Sequence, residues 1–554
     1  MFPVFQSLLS EVSKSYQTIS ITKQLHALIA KTQLSSDPFY VTKILRFYAL
    51  NHQLCSARNL FDTTPHRSVF LWNSIIRAYA QAYKFDDAIT LFLQMLRTVT
   101  KPDNFTYACV IRACSENFDL DVLRIVHGGA IISRFGLDSI CGSALVTAYS
   151  KLGLVGEASK IFNGIPEPDL VLWNSMISGY GYCGLWDKGL LFFNWLRGVG
   201  IKPDGYTLIG LIMGLTDNSL LNVGHGVHGF CVKNNFDSNP HIGSALVSMY
   251  SRCKCMDSAY IVFSSIFQPD LVTWSALVTG YLQCGQNEKV LLFFKKLNMN
   301  GKKADSILIA SVLAASAQFA NIRPAKEIHG YVLRQGLESN ILVSSALVNT
   351  YSKCGFVGLA IHVFKIMPNR TTISYNSIIL GLSLHGLASQ AFGIFSEMLE
   401  MGVRPDESTF SALLSACCHA GLVHDGREVF RRMIEEFYIQ ARSEHYVHMV
   451  KLLGMAGELE QAYEFIISLP KPVDSGIWGA LLSCCDFHQN TELAELVAKQ
   501  LFESEPKKGA YRVMLSNIYA GSGKWDEVKK LRDGISENGV TKLPGLSLIE
   551  CDGG

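Results

Sequence analysis

The stretch of sequence that decides the fold runs from Val171 to Asp204 and reads VLWNSMISGYGYCGLWDKGLLFFNWLRGVGIKPD. A Trp-Asn-Ser motif begins at Trp173, and a Lys-Pro-Asp motif ends at Asp204. Both motifs return along the chain at a step of 101 residues, with small changes in later copies. The first begins at Trp72, Trp173, Trp274 and Tyr375, and the second ends at Asp103, Asp204, Asp305 and Asp406. The chain therefore contains tandem copies of a 101-residue unit.

Other residue types keep the same step, which extends the repeat beyond the two motifs. The recurring residues are Tyr48, Tyr149, Tyr250 and Tyr351, then Phe61, Phe162, Phe263 and Phe364, then His26, His127, His228 and His329. Each unit divides again into three shorter modules of 35, 31 and 35 residues. So many columns in one register exclude a chance resemblance between the copies.

Within a module the apolar residues follow the period of a helix. Ala88, Leu91, Phe92 and Met95 lie at i, i+3, i+4 and i+7, which places them on one helical face. The proline of Lys-Pro-Asp ends that helix, because proline cannot continue a helix interior. Each module is predicted to form two antiparallel helices of about 10–14 residues, which bury their apolar faces only by stacking on neighbours. The predicted fold class is all-α, an α-solenoid superhelix of tandem helix-turn-helix repeats.

Composition excludes several classes of protein. The 554 residues carry a net charge of only +2, which argues against a strongly basic tail and leaves room for a local basic groove. Charged residues make up 17% and apolar residues 49%, so the chain can bury a large core and is not disordered. The 15 cysteines are sparse and odd in number, which excludes a disulfide scaffold and favours reduced thiols inside the cell.

No membrane span is expected. The longest stretch without Asp, Glu, Lys or Arg, from Thr371 to Ser396, exceeds the roughly 20 residues that a span needs. It contains Asn376, His385, Gln390 and three glycines. Its counterpart three 101-residue steps earlier carries Arg77, Lys84, Asp86 and Asp87. At the other end, Met1 to Lys23 holds Ser, Thr and Lys with a single acid and no Arg, which is weakly similar to an organelle transit peptide.

The recurring histidines do not predict a metal site. Stacked helices lie about 8–10 Å apart, so histidines three modules apart are far beyond the roughly 2.1 Å of a zinc–nitrogen bond. The four recurring histidines are therefore predicted to pack between helices. Neither a metal nor a cofactor is expected.

The modules identify a family by resemblance. Lengths of 35, 35 and 31 residues in rotation, with SALVNTYSKCGFVGLAIHVFKIMP from Ser345 to Pro368, resemble the pentatricopeptide repeat proteins of the PLS class found in plant organelles. The tetratricopeptide alternative expects a uniform period of 34 and a Trp-x2-Leu-Gly-x2-Tyr motif, and the sequence has neither. The resemblance, which covers roughly residues 7–551, implies four regions. They are an N-terminal segment with a transit-peptide-like start and a degenerate repeat (1–37), the repeat array (38–474), an E1 motif (475–508) and an E2 motif (509–551).

The resemblance also assigns each module to a type. The short S modules are Pro38–Ser68, Ser139–Asp169, Pro240–Asp270, Ile341–Thr371 and Ser443–Asp474. The P modules are Val69–Asp103, Leu170–Asp204, Leu271–Asp305 and Thr372–Asp406. The L modules are Asn104–Asp138, Gly205–Asn239, Ser306–Asn340 and Glu407–Arg442.

Polar residues recur at the fifth and last places of the modules. An Asn amide both donates and accepts hydrogen bonds, and an Asp can orient it or accept directly, so such pairs can meet the edges of splayed bases. From the residues alone, a helix cap at Asn and a helix end at Asp explain the pattern equally well. The resemblance implies base readout: Asn with Asp for uracil and Ser with Asp for guanine. The uracil pairs are Asn73/Asp103, Asn174/Asp204 and Asn376/Asp406, and the guanine pairs are Ser143/Asp169, Ser244/Asp270 and Ser275/Asp305.

Apolar residues recur at the second place, where the resemblance implies wedges that stack between neighbouring bases. Stacking of this kind contributes about 1–3 kcal/mol per base. Packing in the protein core is the alternative. The residues are Phe70, Phe105, Ile140, Val171, Tyr206, Val272, Ile307 and Ile373. The fifth place of three L modules holds Ala108, Ile209 and Ala310, which leaves their bases unassigned, as do the departing pairs Thr42/Ser68 and Ser345/Thr371.

The expected function is sequence-specific binding of single-stranded organelle RNA, without DNA or membrane partners. The sequence has no His-x-Glu and Pro-Cys-x-x-Cys deaminase signature, so it is not expected to be an enzyme. The resemblance implies a site-recognition factor for C-to-U editing that recruits a DYW-type deaminase and accessory proteins in trans. Transcript processing, stability or splicing, and a protein-binding scaffold, are the alternatives. The expected compartment is the mitochondrion, with the chloroplast as alternative.

Overall fold

A computed structural model describes residues 18–32, 34, 37–319, 322–506 and 508–537, with side chains described up to 533. Most of the transit-peptide-like segment and the end of the predicted E2 motif lie outside these residues. The described residues form 31 α-helices and two short 3-10 helices, with no strand among them. The predicted all-α repeat fold is confirmed.

The chain divides into two compact units, Met1–Gly280 and Tyr281–Gly554. After a single helix at Ile19–Lys31, helices come in pairs, called here the A and B helices of each module. The A helices are Pro38–Leu50, Val69–Gln81, Asn104–Glu116, Ser139–Lys151, Leu170–Tyr182, Gly205–Met213, Pro240–Arg252, Leu271–Gln283, Ser306–Ser316, Ile341–Lys353, Thr372–Leu384, Glu407–Ala420, Ser443–Met455, Ser475–His488 and Gly509–Gly521. The B helices are Leu54–Thr63, Phe85–Leu96, Leu120–Ile132, Val155–Gly164, Trp186–Gly198, Leu221–Lys233, Met256–Ser265, Asn287–Met299, Ile322–Gln335, Val357–Ile366, Ala388–Glu400, Val423–Glu435, Leu459–Ser468, Thr491–Ser504 and Trp525–Glu537.

Within each unit the helices form two layers. Successive A helices pack against one another in a row, from Pro38–Leu50 to Pro240–Arg252 in the first unit and from Ser306–Ser316 to Gly509–Gly521 in the second. In these rows each B helix packs on its own A helix, and most also contact the A helix that follows. Because only A helices run side by side, residues at one helical position of successive modules form a line along one surface.

The last residue of a module starts the next A helix. Asp103 is the N-cap of Asn104–Glu116, where its carboxylate accepts the backbone N–H of Thr106 at 2.8 Å. Asp138 caps Ser139–Lys151 in the same way, since it accepts the N–H of Cys141 at 3.0 Å. An N-cap carboxylate satisfies donors that the first helical turn cannot pair. The recurring Asp therefore begins a helix and does not end one.

Recurring aromatic residues form the contacts between S and P modules. Trp72 meets Phe61 edge-on at 4.6 Å between ring centroids, and Trp173 meets Phe162 at 4.7 Å. Tyr375 replaces Trp in the second unit and keeps the contact with Phe364 at 5.2 Å. All of these rings are buried. The Phe column and the Trp/Tyr column found in the sequence thus contact each other in successive repeats.

The recurring histidines and tyrosines also meet, at the first four junctions between an L module and the following S module. The histidine Nδ1 and tyrosine hydroxyl lie 2.8–3.1 Å apart. The pairs are His26–Tyr48, His127–Tyr149, His228–Tyr250 and His329–Tyr351. Burial lowers the pKa of each histidine and raises the pKa of each tyrosine. Burial therefore favours the neutral form of both partners in this hydrogen bond between helices.

No helix in the described part of the chain is both long and apolar enough to cross a membrane. Across the same residues, no three His, Cys, Asp or Glu side chains converge where a metal ion could bind.

Candidate nucleic-acid interface

A cavity of about 370 Å³ opens on the row of A helices at the first P module. Its lining includes Phe70 and Asn73 from one A helix, and Asp103 and Phe105 from the start of the next. Residues three apart on a helix lie on the same face, so Phe70 stands beside Asn73. The cavity thus brings together both members of a predicted readout pair and the two neighbouring predicted stacking residues.

A third side chain completes the pair. The Asn73 Nδ2 donates to Asp103 Oδ1 at 3.0 Å, and the Thr106 hydroxyl donates to Asn73 Oδ1 at 2.6 Å. The Thr106 oxygen also accepts the backbone N–H of Asp103 at 3.1 Å, which closes a capping box. A reversed amide would place its carbonyl oxygen against the Asp103 carboxylate, so these contacts fix which way the amide points.

This network leaves defined groups for a ligand. Asn73 Nδ2 carries two hydrogens, and the bond to Asp103 uses one. Among the described residues, no hydrogen bond occupies Asp103 Oδ2. Asn73 and Asp103 are half-buried and lie in the cavity wall. One donor and one acceptor, side by side, are what an edge of a nucleic-acid base can recognise.

The same network forms at two further junctions between P and L modules. Asn174 donates to Asp204 at 3.0 Å, and Thr207 donates to the Asn174 oxygen at 2.6 Å. In the second unit, Asn376 donates to Asp406 at 2.9 Å, and the Asn376 oxygen accepts a hydrogen bond from the Thr409 hydroxyl at 2.6 Å. All three predicted Asn/Asp pairs are brought into contact, and none of the three Asn residues is a helix cap.

The predicted Ser/Asp pairs divide into two geometries. Ser244 lies 3.5 Å from Asp270 and 2.5 Å from the hydroxyl of Thr273, which itself donates to Asp270. Burial raises the pKa of Asp270, but hydrogen bonds from Thr273 and Ser244 outweigh it and hold that pKa below its ordinary value. By contrast, the Ser143 hydroxyl donates to the carbonyl of Ser139 in its own helix at 2.7 Å.

The difference follows from the third residue of the next helix. Leu172 stands where Thr273 stands at the Ser244 junction, so Asp169 only caps its helix by accepting the Leu172 N–H at 2.8 Å. Leu308 likewise follows Asp305, which accepts its N–H at 2.8 Å. Ser275 and Asp305 belong to different units, and within the described residues the buried Ser275 hydroxyl has no hydrogen bond.

The two departing S-module pairs contain no carboxylate. Ser345 approaches the hydroxyl of Ser374 at 3.4 Å, and Ser374 also closes the capping box of Thr371. Thr42 donates to the carbonyl of Pro38 in its own helix at 2.6 Å. These two places lack the acceptor that the other pairs present.

The residues at the second place all lie at the surface. The eight predicted stacking side chains are between 38% and 75% exposed, so core packing does not explain them. Phe39 and Leu342 occupy the same place in two S modules and are exposed as well. Within each unit they form an apolar row along the A helices, beside the readout positions. Exposed apolar rows with polar neighbours mark binding surfaces.

Sequence reasoning missed the hydroxyl partners and two members of the apolar row. Thr106, Thr207 and Thr409 follow the 101-residue step, and that recurrence could have revealed them. Phe39 and Leu342 are the second residues of their modules, and listing this column through every S module could have found them.

Comparison with known proteins places the chain in a family. A pentatricopeptide repeat-containing protein of Arabidopsis thaliana is 55% identical over 541 residues, which cover 98% of each chain. The chain belongs to the pentatricopeptide repeat family. The model of the PPR repeat family matches residues 67–116, 168–217 and 370–419, and the PPR repeat model matches 143–167, 272–301 and 408–436. The model of the E motif matches residues 488–550, which overlap both segments predicted as E motifs.

More distant pentatricopeptide relatives differ in compartment. A chloroplastic Arabidopsis protein is 34% identical, covering 96% of this chain and 66% of that protein. A mitochondrial one is 31% identical, covering 100% of this chain and 86% of that protein. Among solved structures, the pentatricopeptide repeat protein PPR10 in complex with an 18-nucleotide psaJ RNA element aligns with 91% of this chain and 85% of that chain, at 16% identity and a TM-score of 0.47.

Proposed function

We propose that this pentatricopeptide repeat chain binds single-stranded RNA one base per module and selects the cytidine for C-to-U editing of an organelle transcript. The observation that carries the proposal is the cavity in which Asn73, Asp103, Phe70 and Phe105 converge. A base seated there would stack on the exposed aromatic rings and meet one free donor and one free acceptor at its edge. The recurrence of the Asn–Asp–Thr network supports the same role at two more modules.

The E-motif match supports the editing role. In this proposal the pentatricopeptide array chooses the site, a DYW-type deaminase supplied in trans performs the reaction, and the chain itself does no chemistry. The mitochondrion is the proposed compartment, and expression of the first 37 residues fused to a fluorescent protein tests it. Plastid fluorescence would overturn that assignment without affecting RNA binding.

The proposed RNA follows from the module order. With the chain running along the RNA from 5′ to 3′, the modules from Val69 onward specify U, any, G, U, any, G, G, any, any, U. The edited cytidine lies about four bases beyond the base facing Ser443–Asp474. Synthetic RNAs with this sequence and with each single-base change provide the binding substrates.

The decisive variant is Asn174→Ser. A serine there would stand beside Asp204 and Thr207 as Ser244 stands beside Asp270 and Thr273. The preference at that one base should move from uracil toward guanine, with a change in discrimination of about 1–3 kcal/mol. An equal loss of affinity for all four bases would show that Asn174 is structural and would refute the readout assignment.

Sequencing of organelle transcripts in a null mutant tests the editing role. Loss of one or a few C-to-U events at sites downstream of the proposed sequence is the expected result. Altered transcript ends or retained introns, with editing intact, would instead assign the chain to RNA processing or splicing.

A further inference from the structure

Three arginines occupy the ninth residue of three consecutive A helices. Arg46, Arg77 and Arg112 follow the fifth-place residue by one turn, so they lie on the same helical face as the readout positions. Pro38–Leu50 packs on Val69–Gln81, which packs on Asn104–Glu116. The arginines therefore form a line, called here the arginine stripe, along one edge of the apolar row.

The arginine stripe is exposed, and carboxylates do not neutralise it. Within the described residues, none of the three guanidinium groups forms an ion pair. Other basic side chains of the same unit are paired, as Arg58 is with Asp62 at 2.8 Å and Lys151 is with Glu116 at 2.5 Å. Because the three guanidinium groups lie in line on one face, they form a local basic surface in a protein of net charge only +2, and such a surface suits an anionic partner.

The arginine stripe reaches the candidate base site. Arg46 and Arg77 line the same cavity as Asn73, Asp103 and Phe105. Between the second and third arginines lies Cys109, whose pKa is raised by burial and drawn back by the nearby charges of Arg77 and Arg112. A base bound in this cavity would bring its own phosphate group into the reach of these guanidinium groups.

Within the first unit, this column of ninth residues is basic only at these three helices. In the A helices that follow within the first unit the ninth residue is uncharged: Thr147, Ser178, Met213, Ser248 and Thr279. Within the first unit the basic positions are thus confined to the first three A helices, while the predicted readout and stacking positions continue beyond them. In the second unit, Lys451 holds the ninth place of Ser443–Met455.

We propose that Arg46, Arg77 and Arg112 bind backbone phosphates of the RNA and anchor its 5′ portion, whereas the modules that follow in the first unit hold the strand by stacking and base contacts. The proposal rests on the proposed RNA-binding function. Adjacent helices lie about 8–10 Å apart, so the arginine stripe spans successive linkages of an extended strand. Guanidinium groups suit this ligand, because they donate two parallel hydrogen bonds to a phosphate.

The test compares two triple variants with the same loss of charge. The stripe variant carries Arg46→Gln, Arg77→Gln and Arg112→Gln. The control carries Arg97→Gln, Arg124→Gln and Arg134→Gln, which change exposed arginines of the same unit that lie outside the A helices. Binding of the matched RNA is measured over a series of KCl concentrations, and thermal unfolding verifies that all proteins are folded.

Three phosphate contacts to a single strand contribute about 2 to the slope of log affinity against log salt concentration. The stripe variant should lose that much slope and bind about 100-fold more weakly at 0.1 M salt, with unchanged discrimination among single-base variants. The control triple should keep the wild-type slope. An unchanged slope in the stripe variant, or altered base discrimination, would overturn the phosphate assignment.

A second RNA distinguishes direct contact between the arginines and the phosphates from long-range electrostatic attraction. Matched RNA with neutral methylphosphonate linkages in its 5′ portion should bind wild-type protein more weakly, and should bind the stripe variant no worse than ordinary RNA does. Additive losses would overturn the proposal. If wild-type protein binds none of the RNAs, the proposed function fails as well, whereas normal wild-type binding with an unchanged stripe variant refutes the arginine stripe alone.

Discussion

Two polar contacts recur with the same period, one between P and L modules and one between L and S modules, and they do different things. At the P–L junctions, Asn174, Asp204 and Thr207 form a network that leaves free groups next to the exposed Tyr206. At the L–S junctions, His228 and Tyr250 are held neutral by burial and hydrogen-bonded to each other. Recurrence of a polar residue therefore does not identify a binding site. A site is indicated where the recurring groups retain hydrogen-bonding capacity at the surface.

The largest effect expected from this comparison is a loss of RNA affinity with no change in the stability of the protein. Phe70→Ala and Phe105→Ala should each weaken binding of the matched RNA by about 1–3 kcal/mol, because each removes a stacking surface. Since Phe70 is 74% and Phe105 52% exposed, the unfolding midpoint in urea should barely move. Filter binding and urea titration measure the two quantities.

Tyr149→Phe is the matched change at an L–S junction. It removes the hydroxyl bonded to His127 at 3.1 Å and should lower stability by about 0.5–1.5 kcal/mol while leaving base discrimination intact. A loss of base discrimination in this variant, or of stability in the phenylalanine variants, would contradict the division between the two junctions.

A smaller effect is expected from the threonine that orients the amide. Thr207→Val keeps the shape of a fully buried side chain and removes the hydroxyl that donates to Asn174. Discrimination for uracil at that base should fall by about 1 kcal/mol, or roughly fivefold, because the amide can then turn over. Thr207→Ser restores a hydroxyl and should recover the discrimination. Equal behaviour of the two variants would show that Thr207 acts only as a packing residue.

The smallest effect concerns pH and acts on stability alone. Burial lowers the pKa of His127, His228 and His329, so between their folded pKa values and the ordinary value of about 6.5 the unfolded chain binds more protons. Stability should therefore be constant above about pH 7 and fall as the pH drops through 6.5. Urea unfolding at pH 7.5 and 5.5 measures the difference.

Two variants test the source of that pH dependence. His228→Gln should reduce it, because one of the contributing histidines is lost. His241→Gln, which changes an exposed histidine of the same unit, should leave it unchanged. Greater stability at pH 5.5 than at pH 7.5 would contradict the assignment of these histidines as buried neutral groups.

The fold was predictable because both of its determinants are periodic. The 101-residue step shows in Trp72 and Trp173, and the 3.6-residue stripe shows in Leu91 and Met95. The pairing of Asn174 with Asp204 was suggested by family resemblance, and whether the two side chains touch depends on helix packing. Ser244 and Asp270 meet through Thr273, but the same pair of residue types at Ser143 and Asp169 makes no such contact, since Leu172 replaces the bridging hydroxyl.

The sequence pattern also could not decide whether the second residue of each module is buried or exposed. Val171 and Leu172 are both apolar and adjacent, yet Val171 is 61% exposed and Leu172 is buried. The helical period permits either residue to face the core. Only the position of the neighbouring A helix decides between them, and that position is a property of the stack and not of one module.

The Asn–Asp–Thr network has a consequence for how such chains can be recombined. Asp204 closes one module by sequence, but its carboxylate holds Asn174 of that module and the first turn of the next, so a joint at the Lys-Pro-Asp motif divides three bonded residues between two parents. The turn between the A and B helices of an L module, such as 214–220, follows that network and precedes His228. A chimera joined at two successive turns of this kind inherits whole the Asn–Asp–Thr network, the aromatic contact between S and P modules and the His–Tyr pair. The natural cassette for exchange is therefore three modules long and begins halfway through an L module.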